Sequence, residues 1–170
     1  MSPLEPLQAD LPLVNLHPGE LFVAKEPTLI TTILGSCVSV CLFCPVSKVG
    51  AMCHGVMPAQ TEHDPDSFRF VDTSVSYMVE VMAKQRGFSC SKLEAKLFGG
   101  ADVLSAMLDF TGNNPTIGAQ NILAAKAALK KHGVPIVNEH VGGDRGCKLF
   151  FYTNTGEVYM KFISRANGAT

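Results

Sequence analysis

The stretch Thr31–His54, TTILGSCVSVCLFCPVSKVGAMCH, decides the fold of this chain. Its two short apolar runs flank Cys44-Pro45-Val46-Ser47-Lys48, and such runs around a Pro-containing turn predict a β-hairpin. With the turn centred between Pro45 and Val46, Phe43 faces Lys48, Val40 faces Ala51 and Cys37 faces His54. Directly opposed residues of an antiparallel pair have Cβ atoms roughly 4.5–5.5 Å apart, a separation at which a thiol and an imidazole can share a proton. Turn type, and with it the register, is not fixed by sequence alone.

Reactive chemistry concentrates at the start of this hairpin. A nucleophilic cysteine needs its thiolate, which a neighbouring base or backbone N–H groups favour. Gly35-Ser36 allows a sharp turn just before Cys37, and their amides, with that of Cys37, can steady an oxyanion. His54 is the general base and acid of this reading, and a third group usually orients such a histidine. Thr31 and Thr32, on the strand leading to Cys37, are both candidates, through a hydroxyl or a carbonyl.

Outward from the hairpin, Glu20–Lys25 and Thr28–Leu34 read as strands, and residues 1–18, rich in Pro and without periodicity, as a flexible arm. Residues 59–69 read as a polar loop. A helix capped by Asp72 or Thr73 runs to about Arg86, with Val75, Met78, Val79 and Met82 on one buried face. Leu93–Phe98 is a strand entering Gly99-Gly100, residues 102–109 a short helix, and residues 111–115 a turn. Thr116 caps an alanine-rich helix through about His132, closed by Gly133. Val134–His140 is a strand, and Lys148–Thr153 with Glu157–Ile163 form a second hairpin around Asn154-Thr155-Gly156. The expected organisation is one α/β domain over residues 19–164, with mixed or antiparallel sheets and two main helices, followed by a tail at 165–170.

The bulk numbers narrow the function classes. A chain of 170 residues with 46% hydrophobic and 17% charged residues is globular, and a net charge of −1 argues against a general nucleic-acid binder. No apolar run is long enough for a membrane-spanning helix, and the first twenty residues lack the basic cluster and apolar core of a secretory signal. The expected location is the cytoplasm, where the six cysteines stay reduced, most of them as small buried hydrophobes.

Other site types fit less well. Cys37, Cys41 and Cys44 have the C-x3-C-x2-C spacing of a four-iron cluster loop, but the residues between them read as strand, which puts Cys44 on the opposite face from Cys37 and Cys41. Cys53 and His54 are adjacent on a strand and point to opposite faces, against a shared zinc. Gly99-Gly100 and Gly142-Gly143 lack the Gly-Lys-Ser/Thr of a phosphate loop and read as turns that let backbone approach the site. His63 and His132 read as solvent-facing, and His140 as a hydrogen-bonded residue at a strand end.

Six segments in order carry a family resemblance: Thr31–Val38, Gly50–Pro58, Arg69–Val75, Leu97–Ala101, Ile117–Asn121, and Val141-Gly142-Gly143 with Gly146. Over about Gly19 to Ile163 the chain resembles the bacterial chemoreceptor glutamine deamidases, the CheD family. The resemblance implies a layered α/β sandwich and a catalytic set of Cys37, His54 and Thr31, with Thr31 holding the imidazole. It implies hydrolysis of glutamine side chains on the cytoplasmic helices of methyl-accepting chemotaxis receptors through a thioester, with release of ammonia and no metal or organic cofactor. Many members also bind a CheC-type phosphatase, so such a partner is implied here. Cys53 beside His54, and Cys147 after Gly146, depart from the family pattern. Two rival readings are a non-catalytic adaptor acting on a phosphatase, against which Cys37, His54 and Thr31 count, and another thiol hydrolase such as a receptor methylesterase.

Overall fold

The computed structural model describes residues 10–59, 67–86, 92–104 and 114–164. Its first five strands are β1 (Leu13–Asn15), β2 (Leu21–Val23), β3 (Leu29–Leu34), β4 (Val38–Cys44) and β5 (Val49–Cys53). Helix α1 (Val71–Arg86) follows, then β6 (Glu94–Gly99), α2 (Ile117–Lys131), β7 (Ile136–Val141), β8 (Cys147–Tyr152) and β9 (Val158–Phe162). They build two sheets, ordered β1-β3-β8-β9 and β2-β5-β4-β6-β7.

The hairpin strand β4 is the middle strand of the larger sheet, and its sequence shows why. Val38, Val40, Leu42 and Cys44 pack toward the helices with Val75, Met78 and Val79 of α1 and Ala125 and Leu129 of α2. Cys41, on the other face, joins Ile30, Leu34, Leu149 and Phe151 of the smaller sheet. A strand buried on both faces must be apolar at nearly every position, as VSVCLFC is. The result is three layers: small sheet, large sheet, helices. The layered α/β sandwich with two principal helices expected from sequence is the architecture observed.

Local signals position the helices. Thr116 caps α2 by accepting the Ala119 N–H at 3.1 Å, and Gly133 beyond its end has φ +68°. Helix α1 starts at Val71, just ahead of the expected caps. Ser76 Oγ and His132 Nε2, 2.9 Å apart, tie α1 to the end of α2, so His132 is a structural partner rather than a solvent-facing residue. His140 is exposed on β7 with its ring 5.4 Å from that of Phe162. The β6–α2–β7 connection is a parallel crossover.

Two expectations change. In the hairpin Cys44 opposes Val49 and Cys41 opposes Met52, because Pro45 to Lys48 all belong to the turn and Lys48 takes φ 54° to close it. Pro45, with no N–H and a fixed φ, sits at the first corner rather than beside the turn's centre. The register therefore moves by two positions, which preserves the face of every side chain. The second change is at the arm: Leu13–Asn15 forms β1, parallel to β3, and Leu16 is buried. Three residues are too few to show periodicity. His63, most of the 59–69 loop, the greater part of the 102–109 helix and of the 111–115 turn, and the 165–170 tail lie outside the described residues.

Candidate active site

The register fixes the faces of the reactive pair. Val38 and Gly55 form a bridge, so Cys37 lies opposite Val56 and one diagonal step from His54. Diagonal neighbours share a face, at roughly 7–8 Å between backbones, within reach of long side chains. Both point away from the helices; Cys37 packs against the cluster between the sheets and Cys53 lies in the helix-side core.

The imidazole of His54 is 2% exposed, and its Nδ1 lies 2.7 Å from Thr32 Oγ1. Thr32 has one hydroxyl proton and donates it to the Leu16 carbonyl, also at 2.7 Å. It must then accept from His54, so Nδ1 carries the proton and Nε2 is left unprotonated. The backbone of His54 is clamped as well: its N–H donates to Glu20 O and its carbonyl accepts from Gly19, both at 2.9 Å. The segment Leu16–Glu20 thus holds the histidine, through its backbone at Gly19 and Glu20 and through Thr32 at Leu16.

Thr31 is placed differently from the role the resemblance assigns it. Side chains alternate along β3, so Ile30, Thr32 and Leu34 face the large sheet while Thr31 faces outward. Its carbonyl accepts the Leu16 N–H, and its hydroxyl, buried at 4% exposure, has no hydrogen-bond partner. Of the two threonines left open by sequence, Thr32 meets the imidazole.

The turn at Cys37 is anchored through its carbonyls. Gly35 O accepts from Ala101 N, Cys37 O from Gly100 N, and Ser36 O from Asn121 Nδ2, at 2.8–2.9 Å. With the carbonyls turned away, the Cys37 N–H faces its own sulfur. Asn121 also donates to Val56 O at 3.0 Å, so one amide pins the cysteine turn to the strand end after His54. In sequence Asn121 is only one polar residue on an alanine-rich helix; its full burial in the structure is what marks it. A cleft of about 590 Å3, lined by Gly35, Ser36, Asp102 and the start of α2, adjoins Cys37 through the first two.

Burial sets the resting protonation. It lowers the His54 pKa to about 4, against a smaller upward pull from Glu20 and with a smaller downward push from His17. It also raises the Cys37 thiol above its ordinary value, its own N–H opposing this in part. At neutral pH both groups are uncharged. Among the described residues no three His, Cys, Asp or Glu side chains converge as metal ligands.

Thr32→Val leaves Nδ1–H and the Leu16 carbonyl unpaired. The expected result is a kcat lower by about 10- to 100-fold with little change in KM, and a stability loss of about 1–3 kcal/mol. Thr32→Ser, which keeps the hydroxyl, should retain most activity; steady-state kinetics and urea melts check both.

A neutral thiol and an oriented imidazole thus share one face of the large sheet within a two-sheet α/β sandwich. The family model for CheD chemotactic sensory transduction matches residues 56–162, beginning just after His54. Matches to whole relatives extend across most of the chain. It is 44% identical to the probable chemoreceptor glutamine deamidase CheD 2 of Geobacter sulfurreducens, covering 91% of this chain and 92% of that one. It is 40% identical to the probable chemoreceptor glutamine deamidase CheD 1 of Anaeromyxobacter dehalogenans, covering 87% and 83%. It is 38% identical to the chemoreceptor glutamine deamidase CheD of Thermotoga maritima, covering 85% and 88%. The chain belongs to the CheD family. No helix among its described residues is long and apolar enough to cross a membrane.

Proposed function

We propose that this protein deamidates glutamine side chains on the cytoplasmic helices of chemotaxis receptors, with Cys37 as nucleophile and His54 as acid and base. The observation that carries the mechanism is the hydrogen-bond chain from His54 Nδ1 through Thr32 to Leu16, which leaves Nε2 free to take a proton. Family membership and the names of the relatives support the substrate.

Nε2 takes the thiol proton as Sγ attacks the carboxamide carbon. The tetrahedral oxyanion forms near the Cys37 N–H. His54 then protonates the departing nitrogen, ammonia leaves, and a thioester remains. Water enters, gives a proton to His54 and attacks the thioester; the thiol leaves with that proton and glutamate is released. Each turnover adds a negative charge to a receptor helix, which alters repulsion between helices and so the signalling bias of the receptor in adaptation.

Because the active form is the neutral pair, kcat/KM should be flat across neutral pH. Its acid limb should follow His54, at about pH 4, and its alkaline limb should lie above the ordinary thiol value of 9.0. An acid limb near pH 6.5, the ordinary histidine value, would contradict this picture.

The test is incubation with a purified receptor cytoplasmic fragment, followed by peptide mass and ammonia assay. A gain of about 1 Da at specific glutamines with ammonia release, absent in Cys37→Ala, is the result thiol catalysis requires. Equal activity in Cys37→Ala overturns the mechanism. Methanol release without ammonia points to an esterase, and no turnover on several receptors points to the adaptor reading.

A further inference from the structure

A second cleft, of about 410 Å3, reaches His54 from the outer face of the small sheet and is lined in part by Asn15, His17, Thr31, Ile33 and Lys148. Its lining is polar in a particular way. Thr31 is 4% exposed with an unpartnered hydroxyl, and a buried polar group without a partner requires an explanation. Asn15 stands beside Thr31 in the β1–β3 ladder, and Lys148 stands opposite Ile33 in the β3–β8 ladder. In-register residues share a face, so the hydroxyl, the amide and the ammonium lie on one side of the sheet.

Charge on this face is unbalanced. Lys148 is directly opposite Lys161 on β9, and like charges so placed repel. Among the described residues no carboxylate pairs with either lysine; Lys148 lies over the Phe150 ring, 5.3 Å from its centroid. The nearby Glu20 carboxylate is already held by the N–H and Nδ1 of His17. A hydroxyl, an amide and an unneutralised cation lining one cleft that reaches His54 suit a carboxylate.

We propose that this cleft is a substrate-recognition subsite that binds an acidic side chain of the target polypeptide beside the glutamine being attacked. The inference rests on the deamidase reading, because it takes the glutamine to lie at Cys37. One cleft adjoins Cys37 and the other reaches His54, so a polypeptide crossing the pair presents its glutamine at one and a neighbouring acid at the other.

The probe is a labelled, alanine-based helical peptide carrying one glutamine with one glutamate a helical turn away. Its neutral twin has alanine for the glutamate, and its product twin has glutamate for the glutamine and no flanking acid. Binding to the Cys37→Ala protein at low salt is read by fluorescence anisotropy. The acidic peptide should bind about tenfold tighter than the neutral twin, as one charge-assisted contact supplies. Lys148→Met should abolish the difference, Thr31→Val, which removes no charge, should reduce it, and Lys130→Met on the exposed side of α2 should leave it intact. Equal affinity for the two peptides, or a preference that survives both Lys148→Met and Thr31→Val, overturns the subsite. So does a gain for the product twin alone, which would make the recognised carboxylate the product's. Mass analysis of the same peptides with wild-type protein separates this inference from the enzyme reading. Deamidation indifferent to the glutamate removes the subsite and leaves the enzyme. A Lys148-dependent preference without deamidation of these peptides supports acid binding at the cleft, and the receptor-fragment assay then decides the enzyme reading separately.

Discussion

His54→Gln is expected to lower turnover by about 10³- to 10⁴-fold while making the protein more stable in acid. Glutamine fills much of the imidazole's space and can keep a hydrogen bond to Thr32, but it cannot take a proton from Cys37. The stability change has the opposite sign because folding lowers the histidine pKa from 6.5 to about 4. Between those values the unfolded chain binds a proton that the native chain does not, so wild-type stability falls as pH drops through this window. At pH 6.5 and above the penalty is absent. Below about pH 4 it approaches its full size, roughly 3 kcal/mol. Urea melts at pH 7 and pH 4.5 should therefore show a smaller acid loss in His54→Gln than in wild type. An equal loss in both would mean that His54 is not buried in its neutral form.

The second large effect concerns Gly99, which touches no substrate in the proposed reaction. Its φ is +98°, and a Cβ there would stand 2.3 Å from the Cys37 carbonyl oxygen and 3.0 Å from Leu34 Cδ1. Gly99→Ala must displace the carbonyl that Gly100 N–H holds at 2.8 Å, and with it the turn that aims the thiol. Backbone strain and overpacking together predict a loss of about 3–5 kcal/mol, or about 10 °C in Tm for a chain of this size. The fraction that folds should have little activity. Gly133→Ala provides the contrast: φ is +68°, but nothing lies within 4 Å of the new Cβ. It should cost only about 1 kcal/mol and leave kinetics unchanged. Thermal melts and turnover of the two variants separate the clash at the nucleophile from left-handed strain alone.

These effects trace what was legible before the fold was known. Cys37 and His54 are diagonal neighbours rather than directly opposed, and they still share a face because a two-residue shift of register keeps each side chain on its side of the sheet. A one-residue shift would have separated them. The face of Cys44, opposite that of Cys41, followed from the same alternation. Helix α2 was legible end to end because Thr116, its alanines and Gly133 act locally. The start of α1 and the end of the Thr28–Leu34 strand were likewise close, since both are set by neighbours in sequence.

The orienting threonine was not legible in that way. Thr31 and Thr32 are adjacent and chemically alike, and the choice depends on which face of β3 meets the larger sheet, a fact held by β8 and the inter-sheet core more than a hundred residues downstream. Nor was the docking of β1, whose three residues carry no pattern of their own and gain their place from Thr31 and Leu29. Asn121 is one polar residue in a helix until its amide is seen holding Ser36 and Val56 together. Sequence by itself determined the hairpin, its parity, the helix ends and the shared face of Cys37 and His54, because these depend on interactions between near neighbours. Only the tertiary structure decided which hydroxyl sets the tautomer of His54, what clamps its backbone, and where an unpaired hydroxyl and lysine meet, because each of those needs strands distant in sequence to be laid side by side.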